Sequence, residues 1–147
     1  MRILALAFFS IYAVCSTQAA HADLRTMGTD YRTMVSNFYM IADIEKRCPE
    51  VEVPPVEPRS TVEKMLQDKL GMELYVQTMI KLQKSRIRSD AFATAEQLWE
   101  KLNGCDDPRL QQGIDRLVSA HAQAFERFKK APALVKPKPV PIPMRQQ

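Results

Sequence analysis

Glycine is scarce in this sequence. Only four occur, at Gly28, Gly71, Gly104 and Gly113, and none belongs to a cluster. A phosphate-cradling loop needs several glycines within a few residues, so nucleotide-binding loops of that kind are excluded. Histidine is scarcer still, with only His21 and His121. That leaves no multi-histidine metal centre. The three cysteines, Cys15, Cys48 and Cys105, form no C-x-x-C. Zinc ribbons, thioredoxin-like redox pairs and covalent haem attachment therefore lack their ligands. No apolar run reaches the length of about 20 residues that a retained membrane span requires.

Catalytic groups are also missing. A Ser-His-Asp or Cys-His arrangement would have to recruit His121, which falls in an apolar repeat. Asp106 and Asp107 are adjacent carboxylates, but they sit where a helix start explains them. The sequence is read as that of a non-enzymatic protein.

What is present begins with an export signal. Arg2 precedes an apolar stretch from Ile3 to Val14, broken only by Ser10. Ala20-His21-Ala22 then offers a small-x-small cleavage site before Asp23. Val14 fits a lipobox poorly as the residue before Cys15. Residues 1–22 are read as a signal peptide, with no transmembrane segment after cleavage and a periplasmic or secreted product. Two cysteines remain, and in an oxidising compartment they are expected to pair as Cys48–Cys105.

Charge is unevenly placed. Lys129, Lys130, Lys136, Lys138 and Arg145 lie after Phe128 with no acid among them. The body before them carries slightly more acid than base. A basic nucleic-acid face on the folded domain is therefore not expected.

Periodicity predicts four helices, and hence an all-α fold. The first runs from about Thr29 to Arg47, with Tyr31, Met34, Val35, Phe38 and Ile41 at helical spacing, and Pro49 stops it. The second runs from about Thr61 to Lys84, opened by a capping box of Ser60 with Glu63. Gly71 in its middle implies a bend or a close neighbour. The third follows Ser89 or Asp90 and ends before Gly104. The fourth opens at Asp107-Pro108, a capping residue followed by proline at the first helical position. The expected architecture is a disulfide-stapled four-helix up-down bundle spanning 23–131. In that course both cysteines reach the same end, and the crosslink stabilises the fold by about 4 kcal/mol. Cys48 to Ser60, with four prolines, forms an extended crossover. Residues 132–147, rich in proline and lysine, form a disordered basic tail of polyproline type, able to reach an anionic surface.

Three groups are candidate sites. Met65, Met72 and Met79 lie seven apart and, with Val76, make a stripe on the second helix. Leu66, Leu70 and Leu74 make another, so the apolar arc is wider than one neighbour needs. Methionine is flexible and polarisable, which suits a groove that takes a partner helix. Successive sulfurs would stand about 10 Å apart, too far to share one metal ion. The competing reading makes this helix the central one, touching two others at once.

The second group is His121 with Met27 or Met34 as an alternative ligand-binding set. A His/Met pair on a helical bundle is similar to the haem ligation of the small b-type bundle cytochromes, and that likeness implies a haem b carrier. The third is the Cys48–Cys105 pair, structural rather than catalytic. In class the chain resembles small disulfide-linked helical pilotins, and its Lys-Pro tail resembles in composition the periplasm-spanning segment of TonB-type proteins. The favoured function is protein binding, as an adaptor, chaperone or inhibitor of an envelope or secretion-system protein. The alternative is a small-ligand or haem carrier.

Overall fold

A computed structural model describes residues 9–135, with side chains from residue 24 onward. Among the described residues there are four helices and no strands: α1 (Phe9–Arg47), α2 (Arg59–Gln83), α3 (Ile87–Trp99) and α4 (Pro108–Lys130). The first eight residues of the expected signal peptide, and the tail beyond Val135, lie outside the described residues. No described helix is long and apolar enough to cross a membrane.

The hub is α1, not α2. It packs along α4 and α3 and meets α2 over a shorter stretch. Its apolar positions explain this. Met27, Tyr31, Met34 and Val35 join one cluster with Val62, Leu66, Leu70, Ile87 and Phe128. Further along, Met40 meets Ala91 and Ala95 of α3, whose small side chains let the two helices approach. At the far end Ile44 and Cys48 pack with Leu110 and Ile114. One helix thus supplies all three clusters. α1 also begins about twenty residues before the predicted start, since no proline separates Phe9 from Arg47.

Two further predicted starts move. α2 begins after Pro58, whose carbonyl accepts from Thr61 N at 3.0 Å and Val62 N at 3.3 Å. The Ser60–Glu63 capping box does not form. Ser60 lies inside the helix, and Glu63 instead pairs with Arg59 at 2.6 Å. α3 begins at Ile87, and Ser89 bonds back to the Arg86 carbonyl at 3.0 Å rather than capping. The fourth start stands as read. Asp107 accepts from Arg109 N at 2.9 Å and from Asn103 N at 3.0 Å, which satisfies helix-end and turn donors together. Arg109 folds back on the same carboxylate, and these hydrogen bonds hold the Asp107 carboxyl well below the usual carboxylate range.

Cys48 and Cys105 sit at disulfide distance, with Cα atoms 5.7 Å apart across a sequence separation of 57. Residues 48–58 are non-helical. The sequence gives no warning of the polar contacts that span the clusters. Arg127 reaches from α4 to the buried Asp30 at 2.7 and 3.0 Å. Asn37 donates to the Leu117 carbonyl at 3.1 Å, and Trp99 Nε1 donates to Asp43 at 3.0 Å.

Candidate functional site

The expected methionine stripe is split by one glycine. Gly71 has φ 73° and ψ 163°, which breaks the helical phase within α2. That backbone conformation is open to glycine and strained for other residues. Before the break, Val62, Leu66 and Leu70 are buried, and Met65 packs against them. After it, Leu74, Tyr75, Met79 and Leu82 turn inward as a half-buried row. Met79 receives the Tyr31 hydroxyl at its sulfur, 3.9 Å away. Burial first, with Glu63 adding to it, pushes the Tyr31 pKa up to about 12.

Met65 and Met79 are therefore drawn towards the core, and Met72 is not. Met72 is 61% exposed, Val76 45% and Ile80 48%. Their spacing of four places them in one exposed row beside the inward-turned side chains. Of the four residues read from sequence as a partner surface, Met72 and Val76 lie on it, and Ile80 joins them.

Beside this row the chain returns. After α4, Lys69 donates its ammonium to the Lys129 carbonyl at 3.1 Å and to the Ala131 carbonyl. A cation on the last carbonyls of a helix is favoured by the helix dipole. Burial lowers the Lys69 pKa. Leu134 N then donates to the Lys69 carbonyl at 2.8 Å. Residues 132–135, read from sequence as the start of a free tail, are thus docked against α2. Val135 stands so close to Gly71 that a Cβ there would meet its Cγ2 at 3.2 Å. Leu134 and Val135 form one end of an open groove of about 760 Å³, with Leu70, Met72, Leu74 and Gln77 along it.

His121 occupies a different place. In α4, Leu110, Ile114, Leu117, His121, Ala124 and Phe128 repeat at alternating steps of four and three, so the imidazole takes an apolar position. It is 2% exposed, and neither ring nitrogen has a hydrogen-bond partner. Burial pushes its pKa below the ordinary value of 6.5. The Met34 and Glu57 backbones and the Glu57 charge oppose that fall, though neither backbone meets hydrogen-bond geometry. Met34 lines a small cavity with His121, Phe38 and Val62. Its volume, about 10 Å³, is near that of one water and leaves no room for a porphyrin. Met27 is buried in the core with Phe128 and does not line that cavity. On its outer side His121 lines an open crevice of about 300 Å³ with Pro55, Val56, Glu57 and Phe125.

Cys48, Glu50 and Cys105 bring three metal-type donors within 4.8 Å of one another. The two sulfurs are committed to each other, which removes them as thiolate ligands. Comparison with protein-family models, with curated proteins and with solved structures finds no match.

Proposed function

We propose that this chain is a non-enzymatic, exported protein-binding accessory, an adaptor, chaperone or inhibitor of an envelope or secretion component. The observation that carries the reading is the exposed row of Met72, Val76 and Ile80 on the second half of α2. A row of this kind suits the apolar face of a partner helix, laid across it with anchors at matching spacing. Flexible Met72 lets the surface adapt to its occupant.

The rest of the molecule serves as a rigid mount. The helices run up and down, residues 48–58 cross over one end, and the Cys48–Cys105 pair fixes that end in an oxidising compartment such as the periplasm. Removal of residues 1–22 as a signal peptide would leave the core untouched, since the first buried side chain among the described residues is that of Met27.

The test is complementation of a deletion by Met72→Lys and Val76→Lys. Both positions are exposed, so helix content by circular dichroism stays unchanged. Failure to complement with the fold intact supports the reading. Full complementation by the double variant refutes it.

A second reading rests on His121. An unpartnered imidazole lining a crevice suits a small apolar ligand carrying one hydrogen-bonding group. Added mass in native mass spectrometry, lost in His121→Leu, would favour it over the first.

A further inference from the structure

We propose that the cleft between α1, both halves of α2 and the start of α3 binds a small organic carboxylate with a short apolar body, of the short-chain fatty acid type. The site is distinct from the Met72–Val76–Ile80 row and from the His121 crevice. It does not depend on the protein-binding reading.

The cleft holds about 250 Å³. Pockets for drug-sized ligands run from about 300 to 1,000 Å³, so this one suits a smaller occupant. Val35, Met79, Leu82 and Ile87 give it apolar walls. Two cations, Arg59 and Arg88, line it together with these, and no acid does.

Arg88 is held by its faces and left free at its edges. Its guanidinium carbon lies 5.7 Å from the centre of the Tyr39 ring and 5.6 Å from that of Phe92. Stacking of this kind orients the planar group and leaves its N–H donors available. Glu63 is engaged by Arg59 at 2.6 Å and Asp90 by Arg86 at 3.6 Å. Among the described residues no carboxylate pairs with Arg88. Arg59 stands over the same Tyr39 ring at 5.9 Å and donates to its hydroxyl at 2.8 Å. One tyrosine thus gathers two guanidinium groups.

A buried donor makes the second, independent observation. Tyr31 lines the cleft and is 3% exposed, and its hydroxyl has only the Met79 sulfur as a partner, at 3.9 Å. A thioether is a weak acceptor, so this donor is poorly satisfied. Burial keeps it protonated, with its pKa pushed up to about 12. The start of α3 adds to the demand for an anion. No side chain caps it, so its first N–H groups stay open to an acceptor, and the helix dipole favours negative charge there.

These groups specify the ligand. A carboxylate matches the guanidinium fork, and it has acceptor sites enough for Arg88, Arg59 and the Tyr31 hydroxyl. A short hydrocarbon body meets the apolar walls. An inorganic anion answers only the donors, and an alcohol of the same length answers chiefly the walls.

The experiment titrates the purified full chain with sodium hexanoate and reads the Met79 and Ile87 methyl resonances. Sodium acetate and hexanol are titrated in parallel. The expected result is a saturable shift of both methyls with hexanoate, and much weaker binding of acetate and of hexanol. Arg88→Gln, at an exposed position, and Tyr31→Phe, which keeps the ring, should each weaken hexanoate binding about tenfold, as loss of a hydrogen bond to a charged group does. The Ile114 methyl, buried in a separate cluster, reports that each variant is folded. Absence of a saturable shift in the wild type would overturn the proposal. So would acetate or hexanol binding as tightly as hexanoate, or wild-type affinity in both folded variants.

Discussion

Val135 closes over Gly71, its side chain filling the space a Cβ at position 71 would enter at 3.2 Å. This contact joins the end of the described chain to the middle of α2. It also explains why α2 has two halves with different roles. The first half is buried core, and the second presents an apolar row to solvent.

Replacing Gly71 by alanine tests the contact. In an ordinary helix interior that change stabilises by about 1 kcal/mol. Here φ is 73° and the Cβ meets Val135, so the sign reverses. The expected outcome is a loss of about 1–3 kcal/mol in urea unfolding. A gain would mean that α2 runs straight through.

The buried His121 gives stability a pH dependence. Its folded pKa lies below 6.5, so between the two values the unfolded chain binds more protons. Stability therefore falls as pH drops below 6.5, and the fall ends below the folded pKa. Urea midpoints measured from about pH 7 to about pH 5 should decline in the wild type and decline less in His121→Leu. Equal slopes would show that the imidazole is not buried as described.

Arg127 holds the buried Asp30 while remaining 55% exposed itself. Arg127→Ala leaves that carboxylate without its partner in the interior. A loss of about 2 kcal/mol is expected by denaturant titration. A change below about 0.5 kcal/mol would place the pair among ordinary surface contacts.

Breaking the Cys48–Cys105 pair with a double alanine substitution should lower stability by about 4 kcal/mol, chiefly through a freer unfolded chain. Reductant added to the wild type should reproduce the effect and leave the double variant unmoved.

Local chemistry was legible in the sequence where one or two residues decide it. Asp107-Pro108 announces the start of α4, and the cysteine pair announces the link between two loop ends. Gly71 signals a disturbance in α2, which proves to be both a break and a close approach. Readings failed where a local motif competes with a neighbour. Ser60 and Glu63 match a capping box, but Arg59 takes the glutamate. Met65, Met72 and Met79 share a seven-residue spacing, but the break at Gly71 cancels the phase between the first and the second. Contacts distant in sequence carry no local signal at all. Nothing near Asp30 names Arg127, and nothing in α1 marks it as the hub rather than α2.

The central claim is that the Met72–Val76–Ile80 row meets a partner. A photo-crosslinking residue placed at Val76 in the living cell tests it most directly, with exposed Gln112 on α4 as the control position. The account predicts one discrete adduct from Val76 and none from Gln112, with the Val76 adduct abolished by Met72→Lys. The same adduct from both positions, or none from Val76, would contradict it.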